Sequence, residues 1–498
     1  MLLDLDQINH LPSNNYPIVI IGAGIAGLTL ALEIEEKFDN ILILESGDLD
    51  INPDKQDDHS GLTENYGISV DHGKEYTKNV HQRWFGGTSH WAGISRPFDP
   101  IDFDKRNYIN SAGWDISYDE YYKFIPRAAK YAGLEDSNFE KISQDFLNYP
   151  KLFNNSLLFD TKIEKVSLEP SFHNRFLKKI KKSKKITCVL NASVTDCNFN
   201  FKDKYHLKSF IFKNNNQREF LVSSDKFILC MGASENVRFL LNINEKYMVN
   251  IGNHSNKLGK CFMEHLWIYS FGYGYRYDSK LKTRSIYHTD NGTHLVYTMN
   301  EEAQKEFQLH NNTIGFDDSR ILNENEISEL HQLDKKIIKL INRKNSHNDL
   351  WQDSFYFRSE IAPNKDNFYY LSSETDKFNR KKINLVWGLD SEIKEKYITF
   401  MKLFAQEYAT QTGGRVKITI PGSNHLWEDI ISSGAHLMGT TPLSSHPQNG
   451  VVNTNLLIHN TSNLYISSSS VFPSSGGNTP TMNIIALTIR LADYLKVA

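Results

Sequence analysis

A chain of 498 residues with a formal net charge of −3 is too long for one ordinary core and lacks the basic excess that nucleic-acid binding requires. With 40 % apolar and 23 % charged residues, and no apolar run approaching ~18 residues, its composition is that of a globular protein without a membrane-spanning helix. The polar, acidic start (residues 1–16) does not have the pattern of a secretory signal, and Cys188, Cys197, Cys230 and Cys261 have neither metal-site spacing nor the number of a disulfide framework, so a cytoplasmic enzyme is expected.

Residues 18–21 (Ile-Val-Ile-Ile) have the pattern of a buried parallel strand. Gly22, Gly24 and Gly27 follow at G-x-G-x-x-G spacing, with Ile25 and Ala26 between them. In such a motif the first glycine permits a tight turn, the second lets the backbone approach a pyrophosphate, and the third lets the next helix sit close to the strand. Leu28, Leu30, Leu32 and Ile34 give that helix a buried surface, and a second apolar strand at 41–44 ends on Glu45 and Ser46. Glu45 stands about 20 residues after the glycines, where this motif places the acid that meets a ribose hydroxyl. Strand, glycines, helix, strand and acid agree on a dinucleotide site; this stretch leaves FAD and NAD both open.

Residues 46–79 are polar and read as loop. Arg83 then precedes Gly86, Gly87, Thr88, Ser89, His90, Trp91, Ala92 and Gly93. Paired glycines among aromatic and hydroxyl residues suit a backbone lying against a flat, polar ligand, or equally a turn carrying buried aromatics. Residues 99–103 read Asp-Pro-Ile-Asp-Phe, and Gly113 and Trp114 lead to Ser117, which with Glu120 forms a capping box. The helix it opens runs toward Ala132, with Pro126 as a kink or early stop.

The glycine-pair loop ending in Trp-Ala-Gly, the Asp-Pro-Ile-Asp-Phe run and the Gly-Trp-x-x-Ser helix start resemble the glucose–methanol–choline (GMC) family of flavin oxidoreductases. The resemblance continues along the chain. The Lys-rich end of 150–185 is a solvated helix end. After the strand at 186–190 comes Val194, matching the family's Val whose backbone meets adenine. Residues 208–212 and 219–222 read as a short β pair, and 227–233 as another buried strand ending in the small residues Gly232 and Ala233. Asn253, Gly259, Lys260, Met263 and His265 resemble the family's Asn … Gly-Arg … Met-x-His stretch, with Lys260 in place of Arg. Aromatic alternation in 270–430 reads as half-buried antiparallel strands, with residues 360–364 matching a family landmark. His436, Gly439, Thr440, Val451, Val452, Asn463, Leu464, Tyr465, Phe472, Pro473, Asn478 and Pro480 follow the order of the family's C-terminal signature.

The resemblance implies an α/β fold: a Rossmann-like FAD-binding domain with an inserted α+β substrate domain on a mostly antiparallel sheet. The domain would be assembled from residues 1–145, 186–270 and 431–498, with substrate-side segments at 146–185 and 271–430. It implies FAD as cofactor, held by Gly22, Gly24, Ile25, Ala26, Gly27, Glu45, Ser46, Arg83, the loop from Gly86 to Ala92, Val194, Gly232, Ser468, Ser469, Asn478 and Thr479. Ser468 stands where many relatives have Asp or Gly. The implied reaction is oxidation of a primary or secondary alcohol, such as a sugar, cyclitol or other polyol, with oxygen, a quinone or a redox protein as electron acceptor. His436 is the expected base, because a histidine near neutrality can take the hydroxyl proton as hydride leaves. Asn478 would hydrogen-bond the developing oxyanion through its amide. His265, His446 and His459 match no catalytic position and read as structural. His90 is the residue that could carry flavin covalently, but the loop after Gly87 is one residue short for it, so dissociable flavin is expected. Same-fold flavoenzymes with other chemistry, and a non-catalytic flavin-binding protein, are the alternatives.

Overall fold

Continuous apolar runs become buried strands here. Strands β1 (Leu2–Asp4), β2 (Asn15–Ile21) and β3 (Ile41–Leu44) belong to one eight-stranded sheet, with helix α1 (Ile25–Ile34) between the latter two. The structure is a computed structural model that describes residues 1–58, 60–66, 76, 80, 83–87, 91–140, 153, 156–277, 292–333, 349–419, 427 and 431–498. In the sheet β2 lies between β3 and strand Glu219–Leu229, and β3 pairs onward to Ile186–Leu190, which in turn pairs with β1. All these pairings are parallel, as the apolar sequences of β2 and β3 require for strands covered on both faces. Leu464–Ile466 adds a further parallel partner to Glu219–Leu229, and helix Thr481–Val497 then covers α1.

The second eight-stranded sheet is antiparallel throughout. Its order runs Arg415–Ile418, Leu266–Arg276, Trp351–Arg358, Thr313–Ile321, Thr293–Met299, Phe159–Val166 and Ile94–Ser95, with Ile431–Ser433 also on Leu266–Arg276. Helix Ser391–Thr412 packs on it, setting Phe400, Phe404 and Tyr408 against Phe355, Phe357 and Phe271. These edge-to-face and tilted aromatic contacts are worth ~0.5–1.5 kcal/mol each beyond the area they bury. Strand Leu266–Arg276 begins before residue 271, so the sheet draws on chain ahead of the boundary expected there.

Three local expectations are revised. The polar stretch after Glu45 is not all loop: Ser60–Tyr66 is a strand that pairs in parallel with Lys381–Gly388, more than 300 residues away. The two strands expected at 219–222 and 227–233 are one, Glu219–Leu229, whose first half pairs antiparallel with Tyr205–Lys213 and whose second half pairs with β2. The helix expected from Ser117 is two helices, Tyr118–Tyr122 and Ile125–Ala132; Pro126 sits in the first turn of the second, where its missing N–H costs no bond. The Lys-rich run ends helix Phe172–Lys182, whose Phe172, Phe176 and Ile180 face inward while Lys179, Lys181 and Lys182 occupy the last turn.

Candidate functional site

A cavity of about 370 Å³ opens beyond the carboxyl ends of β2 and β3, within the usual ~300–1,000 Å³ range for small-ligand sites. One end is made by the glycine turn. Gly22 has φ +104°, and a Cβ there would lie 2.6 Å from the Cys230 carbonyl oxygen. A Cβ on Gly27 would lie 2.0 Å from the Gly22 oxygen, so this glycine is what lets α1 close on β2. A Cβ on Gly24 would meet nothing within 4 Å. Gly24 lines the cavity and is the N-cap of α1, a residue with no side chain of its own to cap the helix. The first-turn N–H groups and the positive end of the helix dipole therefore border an open space, an arrangement suited to a phosphate.

Glu45 is buried beside this turn, its two oxygens accepting the N–H groups of Ala23 and Gly47, each at 2.7 Å. Burial pushes its carboxyl upward against those bonds. Ser46, Arg83, Gly87, Trp91, Ala92, Val194, Gly232, Ser468, Ser469 and Thr479 also line the cavity, together with Ile25 and Ala26. Gly86 does not; its N–H donates to Ala23, and a Cβ on it would strike His173. Within that loop Gly86 serves packing, while its neighbour Gly87 lines the cavity. Thr88, Ser89 and His90 lie outside the described residues. Ser468 accepts from the Asn236 amide at 3.0 Å and shares a hydrogen bond with the Ser470 hydroxyl.

The other end carries His436, and strand pairing explains how it gets there. Phe262–Met263 pairs with Met438–Gly439, while Leu266, Trp267 and Ile268 pair with Ser433, Ser432 and Ile431. Between the two ladders, residues 264–265 oppose the longer segment 434–437, which must bulge. Ala435 takes a left-handed backbone there (φ 57°), at a cost of ~1–2 kcal/mol for a residue with a side chain. Glu264 holds the bulge: its Oε1 accepts the backbone N–H of His436 at 2.7 Å and of His265 at 2.8 Å, and Tyr76 donates its hydroxyl to Oε2. Burial raises the Glu264 carboxyl to about 7.

His265, read from sequence as structural, touches the expected base. Its Nδ1 is 2.9 Å from Nδ1 of His436, and its Nε2 is 2.7 Å from the Gly476 carbonyl oxygen. Burial, then the positive charge of Arg358, lowers His265 to about 4. Burial and the nearby His265 and Arg358 hold His436 well below the ordinary histidine value, so it is a free base at neutral pH.

Asn478 is corrected. Its side chain is fully buried away from the cavity, with Oδ1 accepting from Arg96 Nε at 2.7 Å and Nδ2 donating to the Pro97 carbonyl at 2.8 Å. That amide is spent on the scaffold and cannot serve an oxyanion. Thr479 is the residue on the wall, and its hydroxyl donates to the Ile94 carbonyl at 2.8 Å. Of two adjacent polar residues only one faces the cavity, and nothing in the sequence says which. His265 had a sequence signal, its place two residues after Met263, but no local pattern shows a partner 171 residues away.

Residues 363–488 match the family model described as GMC oxidoreductase. This part of the chain is a GMC oxidoreductase domain. It holds His436 and Thr479, while the glycine turn lies outside the matched residues. Among solved structures the chain is similar to pyridoxine 4-oxidase from Mesorbium loti (15 % identity, 96 % of this chain and 99 % of that one, TM-score 0.54). It is also similar to a formate oxidase (15 %, 97 % and 98 %, TM-score 0.59) and to an Aspergillus oryzae formate oxidase variant studied for its effect on FAD modification (14 %, 97 % and 98 %, TM-score 0.53). At these identities the likeness shows the fold, and it extends over nearly the whole chain beyond the GMC domain. No curated protein sequence matches. No described helix is long and apolar enough to cross a membrane.

Proposed function

We propose that the chain is an FAD-dependent oxidoreductase that oxidises a small primary or secondary alcohol, with His436 removing the hydroxyl proton. One observation carries this reading: the N-terminus of α1 and His436 line the same cavity. The residues present fit a dinucleotide, because the open side of Gly24 and the first-turn amides of α1 offer room and donors for a pyrophosphate. Val194 and Glu45 stand on the side where the adenosine would lie. Bound FAD supplies the two-electron acceptor.

The chain's own residues handle the proton. An alkoxide releases hydride more readily than an alcohol, and a neutral, half-buried histidine is in the form that accepts the proton. The oxyanion partner is not Asn478, whose amide is occupied. Around His436 the wall is largely apolar, with Trp267, Tyr269, Ala435 and Leu437, so flat apolar carbinols belong in a substrate screen beside sugars, cyclitols and other polyols. The purified protein is expected to show flavin absorption, and anaerobic addition of an alcohol from such a panel is expected to bleach it. A colourless protein that takes up NAD and not FAD on reconstitution overturns the cofactor reading. A yellow protein that no alcohol bleaches overturns the reaction.

A further inference from the structure

Resting on His436 as the base, we infer that His265 is the positioning residue that fixes which nitrogen of His436 takes the proton. Donors and acceptors along this line of contacts decide the matter. A carbonyl oxygen can only accept, so the 2.7 Å contact with Gly476 puts a hydrogen on Nε2 of His265. A neutral imidazole carries one N–H, which leaves Nδ1 of His265 as a lone pair. That lone pair faces Nδ1 of His436 at 2.9 Å, so the His436 Nδ1 must be the donor. His436 then has its own lone pair on Nε2, the nitrogen not engaged by His265.

The surroundings keep the chain of bonds in this sense. His265 is fully buried, and Arg358 adds positive charge nearby, so the ring stays neutral with one accepting nitrogen; Glu360 pulls weakly the other way. Glu264 fixes both backbones through the two N–H groups it accepts. The rings stand nearly perpendicular, at 87°, with centroids 5.1 Å apart, so the contact is made edge to edge through nitrogen rather than by stacking. Gly434 adds a steric requirement, since a Cβ there would lie 2.8 Å from the His265 carbonyl and 2.9 Å from Nδ1 of His436. The dyad resembles in logic any acceptor that sets an imidazole's tautomer, an effect worth up to roughly 10⁴ in rate where the wrong tautomer results.

Two substitutions separate the contacts. In His265→Asn the Oδ1 can stand near the old Nδ1 position and keep accepting from His436; in His265→Gln the amide nitrogen can keep donating to Gly476 while the acceptor is lost. Nitrogen-15 spectra of histidine-labelled protein, assigned with His436→Ala, read the tautomer directly and need no substrate. The parent and His265→Asn are expected to show His436 protonated on Nδ1, and His265→Gln to shift it toward the Nε2–H form. With whichever alcohol bleaches the parent, His265→Gln is expected to slow flavin reduction tenfold or more at unchanged substrate affinity, and His265→Asn to recover most of that rate. A parent with His436 protonated on Nε2, or two variants with the same tautomer, overturns the inference. Failure to bleach with any alcohol strikes the proposed reaction instead and leaves the tautomer result standing.

Discussion

The two ends of the cavity are built by opposite rules. At the glycine turn the wall is local: β2, the turn, α1 and β3 follow one another within residues 15–44, and each step uses its neighbour in sequence. At His436 the wall is a meeting of distant segments, Tyr76 with Glu264, His265 with His436, and Gly476 closing the line. Local construction shows in a sequence as spacing. Distant construction shows as isolated residues whose partners are unknown until the strands pair.

Mutations can break or sharpen that contrast, and the largest effect is expected at the catalytic end. His436→Ala should slow flavin reduction by ~10²–10⁴, the usual worth of a positioned base, while the protein stays yellow. Asn478→Ala should behave as a structural lesion instead. It strips Arg96 Nε of its acceptor, costing ~1–3 kcal/mol of stability, and leaves the reduction rate of the folded protein nearly unchanged. Stopped-flow reduction without oxygen, read beside thermal melts, distinguishes the two. A rate loss in Asn478→Ala equal to that in His436→Ala would return Asn478 to the chemistry.

Glu264 comes next. Its carboxyl sits near 7 when folded and titrates near 4.5 when exposed, so the unfolded chain loses this proton first as pH rises. The stability of the parent relative to Glu264→Gln should therefore fall between about pH 4.5 and 7 and be level above. The drop is on the order of 3 kcal/mol. Paired denaturant titrations across that range check it, and parallel curves for parent and variant would show that Glu264 is already ionised at pH 5.

The smallest effect is at the local end, where two glycines in one motif should part company. Gly27→Ala drives a Cβ into the Gly22 carbonyl and should lower stability by ~1–3 kcal/mol with or without flavin. Gly24→Ala meets no protein atom, so the apo-protein should melt as the parent does while flavin affinity falls. Equal melting losses in the two would mean that Gly24 also serves packing.

The same contrast explains what could be read in advance. The β2–turn–α1–β3 unit was legible because each glycine has a fixed task at a fixed offset, and the antiparallel pairing of Trp351–Arg358 and Phe368–Thr375 was legible from aromatic alternation. Ser60–Tyr66 was hidden because its polar sequence takes strand form through its pairing with the distant Lys381–Gly388. His436 was found as a motif, but its bulge, its Glu264 clamp and its His265 partner arise from the offset between two ladders. Asn478 misled because its neighbour Thr479 is the one on the wall.

The seating of Leu464–Ile466 beside Glu219–Leu229 also bears on how the protein is made. That strand and helix Thr481–Val497 complete the layers around β2 and α1, yet Leu464 leaves the ribosome more than 440 residues after Ile21. At roughly 5–20 residues per second, the apolar faces of the first β-α-β unit wait about 20 to 90 seconds for their last cover. The nascent chain is thus at its stickiest for most of its synthesis, and the step that ends this exposure is the same one that brings the wall bearing Ser468 and Thr479 into place.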